Sequence, residues 1–155
     1  MIPEYKFYHG SVLAELTDAY QKCLSIETVQ ESGRPLYYVL NGAVGIVIKY
    51  STQRLRPWRF SFSTDHLRAL ERCENSCHPA FLVLVCKDDG IIAIETSEIL
   101  PALAPSGARQ SWLRADRKKR EMYRIFTPTG ELSVKYRINV EPVIDALNQL
   151  DLSKT

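Results

Sequence analysis

The stretch 36–50, LYYVLNGAVGIVIKY, decides the fold. Two runs rich in aromatic and β-branched residues flank Asn41-Gly42. An Asn-Gly pair accepts positive φ at both central positions of a type I′ turn, so the stretch predicts a tight β-hairpin. In its second strand Val44, Ile46, Ile48 and Tyr50 share one face, and Gly45, Val47, Lys49 and Ser51 share the other. Lys49 therefore projects opposite the larger apolar row.

Upstream, residues 11–24 read as an amphipathic helix. Val12, Leu16, Ala19, Tyr20, Cys23 and Leu24 form its apolar face, Ser11 is its cap, and Glu15, Asp18 and Lys22 lie toward the other side. Residues 25–35 are polar and end in Gly33-Arg34-Pro35, a loop signal. Downstream, 58–62 (WRFSF) alternates as a strand with Trp58, Phe60 and Phe62 inward and Arg59 outward. A short helix over 64–74 follows. The run 80–87, AFLVLVCK, is continuously apolar, as in a central strand covered on both faces. Asp88-Asp89-Gly90 turns it into 91–95, and 97–103 reads as a helix ended by Pro105 and Gly107. The last third holds β-like segments at 111–115, 121–126 and 131–137, then a helix over 140–150 capped by Asn139. This order predicts one domain over 1–155, of α/β or α+β class, with a mixed central β-sheet flanked by helices and an added C-terminal hairpin and helix.

The chain has 155 residues, 45% hydrophobic and 25% charged, the balance of a globular protein rather than a disordered or fibrous one. No apolar run approaches the roughly 18 residues of a membrane span, and 1–10 lacks the apolar stretch of a secretion signal. The expectation is a cytoplasmic protein with no membrane partner. The formal net charge of +2 conceals segregation. Residues 49–72 carry a net +4 and residues 109–124 a net +5, which leaves −7 on the remainder. If the two basic segments meet in space they form an electrostatic dipole.

Familiar catalytic signatures are absent: there is no Gly-rich phosphate loop and no Gly-x-Ser-x-Gly elbow. Cys73 and Cys77, with His78 and His66, have a spacing that invites a zinc reading. Zinc sites of that kind usually draw on a second closely spaced pair, and none is present, so no metal ligands are assigned.

The order helix, hairpin ending in apolar-x-apolar-Lys, aromatic strand, helix and very apolar strand resembles the restriction-endonuclease-like, PD-(D/E)XK superfamily. The stretch that carries it runs from 36–50 through 58–62 to 81–87 and covers about a third of the chain. The resemblance implies a metal-binding acid at the end of one strand, then a Glu or Asp two residues before a Lys on the next. Lys49 matches the lysine and is the candidate catalytic residue. Val47 and Asn41 stand where the two acids belong, so the resemblance implies a scaffold without normal metal catalysis. Glu15 or Asp18 on the first helix could supply a displaced carboxylate for Mg²⁺ or Mn²⁺, which would make the chain an active nuclease. No cofactor is otherwise implied.

The leading expectation is a nucleic-acid-binding protein that grips a DNA or RNA backbone. Lys49, Arg54, Arg56 and Arg59 would act from one basic segment, and Arg114, Arg117, Lys118, Lys119 and Arg120 from the other. A third reading is a non-enzymatic module whose basic hairpin docks an acidic protein. A homodimer is compatible with any of the three.

Overall fold

The structure is a computed structural model that describes residues 1–105, 107 and 109–154. Its elements run α1 (Glu4–Tyr20), β1 (Ile26–Glu31), β2 (Arg34–Leu40), β3 (Val44–Ser51), β4 (Trp58–Phe62), α2 (Thr64–Ser76), β5 (Ala80–Cys86), β6 (Gly90–Glu95), α3 (Thr96–Leu103), β7 (Ser111–Asp116), β8 (Arg124–Thr127), β9 (Gly130–Glu131) and α4 (Glu141–Ser153). The hairpin forms as its turn residues dictate: Asn41 and Gly42 have φ of 49° and 71°, and the Ala43 N–H donates to the Leu40 carbonyl at 3.1 Å.

Five strands build a mixed sheet in the order β1-β2-β3-β5-β6. All neighbours are antiparallel except β3 and β5, which run parallel. The fold is α+β. Strand β5 is buried along its whole length, as a strand covered on both faces must be. On one face Leu40, Ile46, Ile48, Phe81 and Val83 pack against Val12 and Leu16 of α1 and Val143 and Leu147 of α4. On the other face Val47, Leu82, Leu84 and Ile94 meet Leu70 of α2 and Ile99 of α3.

That second face carries a further layer, which corrects the expectation of one sheet. Strand β4 leaves the central sheet and opens a second, four-stranded sheet in the order β4-β7-β8-β9. Its inner side chains Trp58, Phe60, Phe62, Leu113, Ala115 and Ile125 complete the same core. The alternation in 58–62 is as read from sequence, with the three aromatics 3%, 2% and 1% exposed and Arg59 in solvent.

Three other expectations shift. The first helix covers residues 4–20, earlier than 11–24, because Tyr8 adds to its buried side and Gln21 ends it in the left-handed region at φ 58°. The supposed loop 25–35 holds edge strand β1. Ser32 and Gly33 make its turn at φ 55° and 77°, and the strand is almost wholly exposed, so it has no apolar period to read. Of 131–137, only Glu131 lies in a strand, with an isolated bridge between Tyr123 and Tyr136 farther on. At the C-terminal helix the Asn139 side chain accepts the Glu141 N–H at 3.1 Å, a cap one residue earlier than the backbone boundary at Val140. Among the described residues no helix is long and apolar enough to cross a membrane.

Gly45 marks where α2 closes on β3. A Cβ there would sit 2.5 Å from Cys73 Sγ and 2.8 Å from Cys77 Sγ. The two buried thiols are thus packing groups against a glycine, and among the described residues no three His, Cys, Asp or Glu side chains gather with metal-site spacing. Gly45→Ala is expected to lower unfolding free energy in urea by about 1–3 kcal/mol, the usual cost of overpacking. Adding Cys73→Ala to that variant should recover part of the loss.

Candidate functional site

The second sheet has one buried and one open face, and its register follows from its pattern. Burying Trp58, Phe60 and Phe62 turns Arg59 and Ser61 outward, because successive strand side chains alternate. In β7 the same rule buries Leu113 and Ala115 and exposes Trp112 and Arg114. In β8 it buries Ile125 and leaves Arg124 and Phe126 outward. The ladder then sets Arg59 opposite Arg114, Arg114 opposite Phe126, and Phe126 opposite Glu131. The two basic segments of the sequence therefore meet: β4 and β7 are hydrogen-bonded neighbours.

The cations on and around this face divide into committed and free. Arg56 pairs with Asp116 at 2.8 Å, and Arg124 reaches both Asp116 and Glu131 at 3.6 Å. Arg117 is the most committed. Its Nε and Nη2 donate to the two Asp89 oxygens at 2.7 and 2.9 Å, its guanidinium lies over the Tyr123 ring, and Tyr123 Oη donates to the same carboxylate. With 12% of its side chain exposed, Arg117 ties the β5–β6 turn to the second sheet rather than offering charge to solvent. By contrast, among the described residues Arg54, Arg59, Arg114, Lys118, Lys119 and Arg120 form no ion pair with an acidic group. All of these but Arg114 are exposed, and Arg114 lies over the Phe126 ring at 4.2 Å from its centroid.

Lys49 belongs to a different place. The β2–β3 ladder holds only the pairs Tyr38–Ile46, Val39–Gly45 and Leu40–Val44. Beyond it a cavity of about 430 Å³ opens between Arg34 and Leu36 of β2 and Lys49 and Tyr50 of β3, closed by Tyr5 and His9 of α1 and by His66 at the start of α2. Lys49 is half-buried there, its Nζ 3.2 Å from His66 Nδ1 and 5.1 Å from the Phe62 ring centroid. Burial pushes its ammonium down to about 8. His66 Nδ1 also accepts the Ser63 N–H at 3.1 Å, completing a capping box for α2. An acceptor Nδ1 requires the proton on Nε2, so this imidazole is neutral. Burial and then the Lys49 charge hold its pKa below the usual histidine value. His9 is likewise lowered, to about 4, by burial.

The displaced carboxylates expected from the first helix do not join Lys49. Glu15 and Asp18 are exposed and, at 100° per residue, lie about 120° and 180° around α1 from the groove-lining His9. Asn41 is engaged elsewhere, accepting the Ser25 N–H at 2.8 Å and donating to Tyr20 Oη at 3.1 Å. Asp65 is the carboxylate that lines the cavity, and it pairs with Arg68 at 3.8 Å. Mg²⁺ favours carboxylates and water in octahedral geometry. One ion-paired Asp beside Lys49 and Arg34 does not fit such a site.

Sequence reasoning missed Trp112 and Phe126 as members of the basic face. A signal was present for Trp112, which shares strand parity with Arg114. Phe126 became legible only once β8 was in register.

A scan against protein-family models and searches of curated proteins and of solved structures find no match to this chain.

The lowered Lys49 pKa has a definite consequence for stability. Unfolding returns the side chain to its ordinary value of 10.5, so between pH 8 and 10.5 the unfolded chain binds the extra proton and stability contributed at this site rises with pH. Below pH 8 the buried ammonium is a net cost. Lys49→Met is expected to raise unfolding free energy by about 1–2 kcal/mol at pH 7, after discounting for partial solvent screening. Urea melts of both proteins should show that gain shrinking as pH rises from 8 to 10.5.

Proposed function

We propose that this chain binds the sugar-phosphate backbone of nucleic acid through the outer face of its second sheet. The observation that carries the reading is the Arg59–Arg114 register pair. Like charges placed directly opposite on neighbouring strands destabilise a sheet by a few tenths of a kcal/mol or more, and neither guanidinium has an acidic partner among the described residues. A polyanion offers the compensation that the protein itself omits. The exposed turn carrying Lys118, Lys119 and Arg120 extends the same positive region beyond β7, and Arg54 stands on the link before β4.

The reading draws further support from chain order. Helix α1, the β2–β3 hairpin, α2 and buried β5 follow the layout on which the resemblance to the restriction-endonuclease-like superfamily rests. The proposed contact does not use Lys49, which faces the separate cavity. It calls on no metal and no bond cleavage.

Contacts of this kind give affinity that falls steeply with salt, because each neutralised phosphate releases counterions. Binding of a labelled oligonucleotide, measured over a series of salt concentrations, should weaken linearly on a log–log plot. Arg59→Ala with Arg114→Ala should reduce the slope by about 1.4 on a single strand or about 1.8 on a duplex, as expected for two phosphates no longer neutralised. Arg72→Ala, on α2 and paired with Glu31 at 3.5 Å, should leave the slope unchanged. Salt-insensitive or absent binding would contradict the proposal.

A further inference from the structure

Trp112 is the largest side chain that the fold leaves open on the basic face. It is 43% exposed, whereas Trp58, its only fellow tryptophan, is 3% exposed. The buried indole donates its N–H to the Gln53 carbonyl at 3.0 Å; among the described residues the Trp112 indole N–H donates to nothing. Its cross-strand neighbours leave part of the ring open. Directly across β4 stands Ser61, a small residue, and on the other side the β8 pairing begins only at Arg114.

The surroundings specify a ligand chemistry. Arg114 lies two residues along the same face, and Arg59 is diagonal to Trp112 across the β4–β7 ladder. Phe126 is diagonal on the β8 side, and diagonal pairs on a sheet are about 7–8 Å apart. An open indole flanked by guanidiniums without acidic partners offers a π-face for a base beside two contacts for its phosphates. Base stacking of this kind requires an unstacked base. A duplex cannot supply one: its bases are stacked inside, and four strands about 4.8 Å apart span roughly 14 Å, wider than the roughly 12 Å major groove. Duplex DNA would touch this face with phosphates alone.

Resting on the nucleic-acid reading above, we infer that the face selects single strands, with one base stacked on Trp112 and the adjoining phosphates held by Arg59 and Arg114. The contact is sequence-tolerant, because every base has a π-face.

The test uses the full chain with labelled 12-mers of deoxythymidine and of uridine and with a 12-base-pair DNA duplex, all at low salt. The single strands should bind at least tenfold more tightly than the duplex and quench tryptophan emission, which reports Trp112 because Trp58 is buried. Trp112→Ala should lose about tenfold on the single strands and leave duplex affinity unchanged, while Trp112→Phe should restore most of the loss. Circular dichroism of each variant confirms that the surface substitution leaves the fold intact. Equal affinity for single strand and duplex, or a Trp112→Ala effect shared by both, overturns single-strand selection and leaves the basic-face reading standing. No binding of either form at low salt overturns both. The two 12-mers separate DNA from RNA as the preferred strand.

Discussion

The pairing of β4 with β7 is the constraint from which the rest of the molecule follows. Five registered pairs, from Trp58–Ala115 to Phe62–Ser111, join segments about fifty residues apart in the chain. Every apolar inward residue of this ladder is core, Trp58, Phe60 and Phe62 on one strand and Leu113 and Ala115 on the other, and the sixth inward residue, Ser111, is a buried polar one. Because strand side chains alternate with period two, a slip of one residue would bury Arg59 and Arg114 and expose the aromatics. The hydrophobic demand of the core thus decides where the arginines go. Further contacts hold the register: the Ser111 hydroxyl donates to the Leu103 carbonyl, and Thr64 Oγ1 donates to the Arg109 carbonyl at 2.7 Å.

Charge on the second sheet is divided by carboxylate supply. Asp116 and Asp89 engage Arg56, Arg124 and Arg117 in contacts that brace the sheet and its turns. Arg59 and Arg114 have no such counterpart among the described residues. A partly buried, bidentate Arg117–Asp89 pair is strong where both groups are hydrogen-bonded, and Tyr123 supplies the additional donor. The same residue type therefore serves architecture at one position and an open surface three residues earlier. Lys49 follows a third logic, as a half-buried cation held by His66 and Phe62 in a cavity on the other side of β4.

Local signals predicted what local physics controls. Asn41-Gly42 marked its turn because both residues tolerate positive φ, the alternation in 58–62 marked which side of β4 is buried, and the apolar run at 80–87 marked a covered strand. The partition into two sheets was not legible, since nothing in WRFSF distinguishes a strand that joins the central sheet from one that leaves it. Strand β1 escaped notice because it is an exposed edge held by backbone pairing to β2, with little apolar burial to pattern its sequence. At the candidate site, the parity of Arg59 and Arg114 could be read, but their adjacency could not. Nor could ion pairing: Arg114 and Arg117 look alike in a basic run, and only the approach of Asp89 from the β5–β6 turn tells them apart.

The most direct test of the account is a residue-resolved map of the nucleic-acid contact, obtained by following backbone amide chemical shifts while a short single-stranded oligonucleotide is added. The account predicts that the perturbed amides cluster on β4, β7 and β8, centred on Arg59, Trp112 and Arg114. Perturbations centred instead on Arg34, Lys49 and His66, with the second sheet unmoved, would contradict it.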